Sequence, residues 1–244
     1  MLLEKFQQFK LSGQKGLCVL IDPDKATPKD LIKRIELAQT CLVDFIFLGG
    51  SMVNGSEVDA VIDLMRSYSN IPVVLFPGSP LQLTPKADAV LFLSLISGRN
   101  SEYLIGNQVT AAPYLKKMNI EILPTGYMLV DGGVPTTASY ISNSSPIPNN
   151  KPSIAQATAM AGEMLGMKLI YLDAGSGAER PVSEKIIEKV SNEIKCPLIV
   201  GGGIVDETKL SKAYVSGADV VVVGNAIENN ASLIHKLSEE KFKY

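Results

Sequence analysis

The feature that most constrains the fold is a series of eight short apolar segments, rich in β-branched residues, spread over the whole chain. Each segment is almost continuously hydrophobic, which is typical of a parallel strand buried on both faces. The eight segments are residues 16–22, 43–51, 71–78, 87–95, 120–130, 168–175, 196–203 and 218–225. The sequence therefore predicts a parallel sheet with both faces covered.

Segments with helical spacing separate most of these runs. They are residues 28–40, 55–69, 101–118, 153–166, 183–194 and 206–216, with a last one at 228–242. Thr27 before Pro28 gives a helix N-cap followed by proline at the first helical position, and Ser183 and Asp206 precede two other helices. Eight strand–helix units predict an α/β fold, a (β/α)8 TIM barrel, as a single domain over residues 1–244.

Two connections depart from this rhythm. Residues 79–86 are too few and too rich in proline for a full helix, so we expect the third outer helix to be replaced by a loop. Residues 131–150 form a long polar loop with three prolines. Long loops in compact domains are usually lids or binding elements.

The charge balance and the rare residue types exclude several classes of function. The formal net charge is −2, which gives no broad basic surface for nucleic acid. The one histidine, His235, falls in a polar helical pattern and is predicted to be solvated, which argues against a Ser-His pair or a histidine zinc site. The three cysteines are far apart and are expected to be small buried residues.

No stretch approaches 18 uninterrupted apolar residues, and the N-terminal residues lack a signal-peptide core. The sequence therefore predicts a soluble, cytoplasmic protein without a transmembrane segment.

The ends of the last two predicted strands carry the sharpest functional signal. Gly202 and Gly203 follow the seventh run, and Gly224 and Asn225 follow the eighth. Glycines let the backbone approach an anion closely, and the N–H groups that open the next helix point toward it. Barrel enzymes often bind a phosphate at these two loops, so we predict a phosphate site there. The alternative is that the glycines only make tight turns.

The sixth strand is predicted to add a third wall and a carboxylate. Gly175, Ser176 and Gly177 follow this strand, and Asp173 ends it with Tyr171 on the same face. A carboxylate and a phenol near a phosphate can position and deprotonate a substrate hydroxyl. The competing interpretation is that Asp173 is a turn residue and Tyr171 a core aromatic. Tyr127, in the fifth run, is predicted to line an apolar pocket or else to be ordinary core.

Asp22 closes the first predicted strand and is a candidate for a magnesium ligand or a base. Magnesium usually binds through one or two carboxylates together with substrate phosphates. Asp22 with Ser51 from the neighbouring strand fits that pattern. The alternative is that Asp22 or Asp24 only caps the following turn, and Asp24 suits that role better.

Seven strings of the sequence resemble the geranylgeranylglyceryl phosphate synthase family, in the group shared by many archaea and some bacteria. They are LIDPDK, FIFLGGS, LFLSLISGRN, LPTGYMLVDGG, YLDAGSGA, PLIVGGGI and VVVGN, in this order over about residues 17–228. The resemblance implies a magnesium-dependent prenyltransferase of ether phospholipid biosynthesis. Such an enzyme joins the geranylgeranyl group of geranylgeranyl diphosphate to the 3-hydroxyl of sn-glycerol 1-phosphate and releases pyrophosphate. Because such barrels commonly associate through their outer helices, a homo-oligomer is expected, and a lipid product predicts transient contact with a membrane surface.

The resemblance assigns roles to particular positions. Magnesium is assigned to Asp22 and Ser51, and the implied mechanism makes Asp173 the base, with Tyr171 predicted beside it. In such an enzyme, the apolar pocket predicted at Tyr127 is expected to hold the prenyl chain. The glycerol 1-phosphate site is assigned to Tyr171, Leu172, Asp173, Ala174, Gly175, Ser176, Gly177, Gly202, Gly203, Gly224 and Asn225.

The sequence departs from the family pattern at two positions. Many relatives have Glu where this chain has Asp173, and many have Lys where it has Leu20. The missing charge leaves Lys25 or Arg99 as the expected donor to a phosphate. Two other functions remain open at this point, namely an isomerase or epimerase acting on a phosphate substrate, and a non-catalytic phosphate-binding barrel.

Overall fold

The computed structural model describes residues 1–25, 27–50 and 58–244. Within these ranges, eight parallel strands close into a barrel in sequence order, with β8 paired to β1. The strands are β1 Gly16–Ile21, β2 Phe45–Leu48, β3 Val73–Leu75, β4 Ala89–Leu95, β5 Glu121–Leu129, β6 Leu169–Asp173, β7 Leu198–Gly201 and β8 Val220–Val223. The predicted (β/α)8 barrel is confirmed, because each apolar run contains one strand.

Helices cover the outside of the barrel and one of its ends. They are α1 Leu2–Ser12, α2 Pro28–Thr40, α3 Val58–Tyr68, α4 Asn107–Leu115, α5 Thr137–Ile141, α6 Pro152–Met164, α7 Glu184–Ser191, α8 Glu207–Val215, α9 Asn225–Asn229 and α10 Leu233–Lys241. Two helix starts follow the sequence signals closely. The Thr27 side chain accepts a hydrogen bond from the Asp30 N–H, and Asp206 accepts one from the Lys209 N–H.

The third connection contains only a 3₁₀ turn, Pro80–Gln82, where the other units have a longer helix. This outcome agrees with the expectation that a loop replaces the third outer helix. Other segments are more divided than the sequence suggested. A π-helical turn, Glu102–Gly106, precedes α4. The last predicted helix is split into α9 and α10, and the polar loop 131–150 contains the short helix α5.

Helix α1 was not predicted, and it closes the N-terminal end of the barrel. The Phe6 ring stacks on Phe45 with centroids 4.2 Å apart, and Phe9 meets Phe45 edge-on at 6.2 Å. The Glu121 carboxylate accepts hydrogen bonds from the N–H groups of Leu2 and Leu3 at 2.6 and 2.9 Å. Burying each phenylalanine contributes about 1.5–3 kcal/mol. Within the described residues, α1 thus leaves the C-terminal end of the barrel open for ligands.

The rare residues lie away from that open end. His235 is exposed on α10, with its Nδ1 atom 3.1 Å from the Cys41 sulfur. Cys18 and Cys41 are buried, Cys196 is half-buried, and all three thiols are free. No helix in the part of the chain that the structure describes has both the length and the apolar character needed to cross a membrane.

Candidate active site

A cavity of about 600 Å³ lies at the C-terminal ends of the strands. In this architecture, loops at that end form the active site. One end of the cavity is polar and rich in glycine, and the other is apolar. The polar end is lined by Asp22, Lys25, Gly49, Gly50, Gly175, Ser176, Gly177, Gly202, Gly203, Gly224 and Asn225. Most predicted site residues therefore meet in one place.

Loops after β6 and β8 are joined directly across the polar end. The Ser176 hydroxyl donates a hydrogen bond of 2.9 Å to the Asn225 side-chain oxygen. A Cβ added at Gly177 would meet nothing within 4 Å, so this glycine faces open space. The backbone at this wall is accessible to a ligand, as the phosphate prediction requires.

Gly202 and Gly224, two glycines of the polar end, have different surroundings. Gly202 has φ +80°, and a Cβ there would lie 2.7 Å from the Ala174 nitrogen and 2.8 Å from an Asp173 carboxylate oxygen. It is needed for the packing of the loops after β6 and β7. For a Cβ at Gly224, the nearest atoms would be those of Leu20, at an ordinary van der Waals distance of 3.4 Å. Gly224 therefore has room for a small side chain. Its neighbour Leu20 is the residue that replaces the lysine of many relatives.

Asp173 is buried between the two ends of the cavity, with 7% of its surface exposed. The Tyr127 hydroxyl donates to one carboxylate oxygen at 2.6 Å, and the Gly175 N–H donates to the other at 2.7 Å. Burial raises the pKa of Asp173, and these two hydrogen bonds only partly oppose the increase. Each oxygen retains a lone pair for a ligand, so the carboxylate can accept a proton.

The phenol that donates a hydrogen bond to Asp173 is that of Tyr127 and not that of Tyr171. Tyr171 points into the barrel, and its ring lies 5.4 Å from Tyr127 and 5.5 Å from Phe76. Burial raises the pKa of both tyrosine hydroxyls well above the ordinary value, so both stay neutral. Phe76, which meets Tyr127 at 5.7 Å, completes an aromatic floor under the cavity. Phe76 was not among the predicted site residues, although Phe76 directly follows the third strand, where site residues are expected.

The Lys25 ammonium lies at the mouth of the cavity, 3.0 Å from the Asp22 carboxylate. Partial burial lowers the pKa of Lys25, but the hydrogen bond to Asp22 and the charge of Glu228 outweigh it, so the pKa is raised. Arg99 does not line the cavity, and its guanidinium donates to the Gly98 carbonyl instead. Of the two expected phosphate donors, the structure brings Lys25 to the cavity.

Three predicted residues lie elsewhere or outside the described ranges. Leu172 is fully buried on the outer face of β6, among the side chains that pack under the helices. Ala174 is buried as well, and its N–H donates to the Gly201 carbonyl. Neither side chain lines the cavity. Ser51, the second predicted magnesium ligand, lies outside the described residues.

The apolar end of the cavity extends between the 3₁₀ turn of the third connection and α4. Its lining side chains include Leu83, Val90, Phe92, Ala111 and Leu115. A full helix would cover this face of β4, so the short connection leaves a groove there. We call these five residues the apolar groove.

Residues of the long polar loop line the same cavity. Thr136 caps α5 by accepting from the Ser139 N–H, and Ala138 and Ile141 of α5 line the cavity. The Asn100 side chain donates to the Ser142 carbonyl at 2.8 Å and ties the loop to the end of β4. The expected binding role of this loop agrees with its place at the cavity.

Comparison with known proteins gives a consistent result over the whole chain. The model of the PcrB family matches residues 11–241. A geranylgeranylglyceryl phosphate synthase of Chitinophaga pinensis is 51% identical over 230 residues, covering 94% of this chain and 91% of that protein. Another, from Spirosoma linguale, is 50% identical over 232 residues, covering 95% of this chain and 93% of that protein.

A solved structure has the same fold throughout. It is the (S)-3-O-geranylgeranylglyceryl phosphate synthase of Thermoplasma acidophilum in complex with its substrate sn-glycerol-1-phosphate. The TM-score is 0.94 with 32% sequence identity, and the match covers 100% of this chain and 99% of that one.

Proposed function

The chain belongs to the PcrB family, and we infer from this membership and from the cavity that it is a geranylgeranylglyceryl phosphate synthase. It transfers a geranylgeranyl group from geranylgeranyl diphosphate to the 3-hydroxyl of sn-glycerol 1-phosphate and releases pyrophosphate, in ether lipid synthesis. The structural observation that best supports this function is the cavity, in which a glycine-rich polar wall continues into an apolar groove. Asp173 lies between the two.

Glycerol 1-phosphate is proposed to bind at the polar end. Its phosphate is small and doubly charged, and backbone N–H groups at glycines can approach it closely. The loops that carry Ser176–Gly177, Gly202–Gly203 and Gly224–Asn225 surround that end. The complex of the Thermoplasma enzyme with this substrate supports the proposal, because its fold matches over the full chain.

Asp173 is proposed to accept the proton of the attacking hydroxyl. In the reaction, a bond forms between the glycerol O3 atom and the allylic C1 atom, while the bond from C1 to the diphosphate oxygen breaks. The hydroxyl proton passes to the Asp173 carboxylate, which burial makes more basic than an exposed aspartate. Tyr127 holds that carboxylate in place.

The aromatic floor of Phe76, Tyr127 and Tyr171 is proposed to face the allylic carbon. As the diphosphate leaves, this carbon gains positive charge, and the faces of aromatic rings attract cations. The floor also excludes water from below, because Tyr171 is fully buried in the barrel. Water would otherwise compete with glycerol phosphate for the reactive carbon.

Magnesium is proposed as the cofactor at the diphosphate position. Asp22 offers a carboxylate at the cavity, and the nearby Lys25 ammonium indicates that a cation is accommodated beside it. One carboxylate plus substrate phosphates is a donor set that this ion accepts. When bound, the ion supplies positive charge that stabilises the departing diphosphate. Ser51 stays a predicted second ligand. Lys25, which pairs with Asp22 at the mouth of the cavity, is proposed to donate to the diphosphate as well.

The prenyl chain is proposed to lie in the apolar groove. Its side chains bury a hydrocarbon tail, and the short third connection gives the tail an exit. Homo-oligomerisation and transient contact with a membrane surface stay predictions.

A label-transfer experiment tests the function. The pure protein is incubated with radiolabelled sn-glycerol 1-phosphate, geranylgeranyl diphosphate and magnesium, and the mixture is extracted with butanol. Label in the organic phase, with one pyrophosphate released per product, is the expected result. Label that stays in water would contradict the assignment. Binding of glycerol phosphate without any release of pyrophosphate would point to a non-catalytic barrel.

A further inference from the structure

The guanidinium of Arg34 is buried next to the polar end but does not line the cavity. Arg34 lies on α2, and 7% of its surface is exposed. Its Nη2 atom donates a hydrogen bond of 3.0 Å to the Glu228 carbonyl oxygen. Its Nη1 atom is buried and has no hydrogen-bond partner among the described residues. Among the described residues, the hydrogen-bond partner found for this cation is therefore one backbone carbonyl.

That carbonyl belongs to α9, which lines the cavity at both of its ends, through Asn225 and through Glu228 and Asn229. Asn225, the first residue of α9, lines the cavity and accepts the hydrogen bond from Ser176. The helix has five residues, too few to be stable by itself. Its last carbonyls have no partners within the helix, and Arg34 satisfies one of them. Arg34 thus fixes the C-terminal end of a short helix whose first residue, Asn225, lies at the proposed glycerol phosphate site.

Stability alone is a poor explanation for this arginine. Burying a guanidinium costs free energy, and an apolar side chain of similar volume at such a site is often neutral or stabilising. A buried cation retained for a single carbonyl is better explained by the need to hold that carbonyl in one position.

We propose that Arg34 is a positioning residue for glycerol phosphate, acting by fixing α9 so that Gly224 and Asn225 keep their place at the cavity. The inference rests on the proposed function, since it takes the polar end as the glycerol phosphate site. It assigns no contact between Arg34 and either substrate. Its effect is therefore specific to one substrate and small on the chemical step.

The test compares Arg34→Met, Arg34→Lys and the control Arg66→Met. Methionine keeps an unbranched apolar stem in place of the arginine stem but cannot donate to the carbonyl. Arg66 also donates to a backbone carbonyl, that of Lys86, but lies on α3 and does not line the cavity. Both KM values and kcat are measured for each variant. The Kd of sn-glycerol 1-phosphate is measured by calorimetry without prenyl donor.

Arg34→Met is expected to raise the KM and Kd for glycerol phosphate about tenfold. This is the effect of losing one hydrogen bond to a charged group, here between the displaced backbone at 224–225 and the phosphate. The KM for geranylgeranyl diphosphate and kcat should change by less than about twofold in this scheme. Arg34→Lys, which can still donate, should give an intermediate increase for glycerol phosphate alone. Arg66→Met should leave all constants unchanged.

Equal losses for both substrates, or an unchanged Kd in Arg34→Met, would overturn the proposal. If Arg34→Met does not fold, Arg34→Lys decides, because an unchanged KM for glycerol phosphate in that variant contradicts the proposal. If the unaltered protein fails to bind glycerol phosphate, the proposed function itself is wrong, which calorimetry on that protein alone reveals.

Discussion

The two ends of the cavity are built by opposite means. The polar end is made largely of backbone, on the loops after β6, β7 and β8, where glycines let loops pack closely. The apolar groove is made of side chains, on the face of β4 that a shortened connection leaves uncovered. The polar end should therefore be sensitive to any added side chain, and the groove to changes in side-chain volume. Damage at one end should affect one substrate.

The largest effect is expected at Asp173, which lies between the two ends. Asp173→Asn should lower kcat by roughly 10²–10⁴-fold, the usual contribution of general acid–base catalysis. Both KM values should change much less, since the phosphate and the tail are held elsewhere. Single-turnover kinetics measures the chemical step directly.

Asp173→Glu is the matched variant, because it keeps the carboxylate with one more methylene. It should retain more activity than Asp173→Asn. Full turnover in Asp173→Asn would mean that the carboxylate is structural and that another group accepts the proton.

The next prediction distinguishes the roles of Gly224 and Gly202, two glycines of the polar end. Gly224→Ala should fold normally and raise the KM for glycerol phosphate about tenfold, because the new Cβ blocks the approach of the anion to the backbone. Gly202→Ala should instead lower stability by more than about 1 kcal/mol, since its φ is positive and its Cβ position is filled.

Thermal melts and both KM values distinguish these outcomes. Equal changes in both KM values for Gly224→Ala would show that this glycine serves only the turn.

A smaller effect is expected in the apolar groove. Ala111→Phe should fill part of the groove, raise the KM for geranylgeranyl diphosphate several-fold and favour donors with shorter chains. The KM for glycerol phosphate should stay the same. Ala112→Phe is the control, because Ala112 is the next residue on α4 and faces solvent. Product analysis with donors of different length would contradict the groove assignment if both variants behaved alike.

The smallest effect concerns pH. The hydrogen bond from Tyr127 lowers the pKa of Asp173, so Tyr127→Phe should raise that pKa further. Because Asp173 must be ionised to accept a proton, activity is lost below its pKa. The acid limb of the kcat profile should therefore move to higher pH in Tyr127→Phe, while the rate above this limb changes little. An unmoved acid limb would mean that Asp173 does not set it.

The sequence predicted the barrel and the polar end because both depend on local signals. A parallel strand buried on both faces is continuously apolar, and its end can be read directly, as at Asp173 and Gly202. The hydrogen bond between Tyr127 and Asp173 could not be read this way, since it joins residues 46 positions apart on paired strands. Nor could the packing role of Gly202, which depends on how two loops meet.

Helix α1 escaped prediction for a related reason. Charged residues interrupt its apolar pattern, and its role depends on Phe6 and Phe9 meeting Phe45 at the closed end of the barrel.

The most direct test of the account is a crystal structure of the protein with sn-glycerol 1-phosphate and a non-hydrolysable geranylgeranyl diphosphate analogue. The account predicts the glycerol phosphate within hydrogen-bond distance of backbone N–H groups at 202–203 and 224–225. It also predicts the 3-hydroxyl next to the Asp173 carboxylate, and the tail in the apolar groove beside Ala111. A tail that leaves the barrel elsewhere, or a phosphate bound away from the glycine-rich loops, would contradict it.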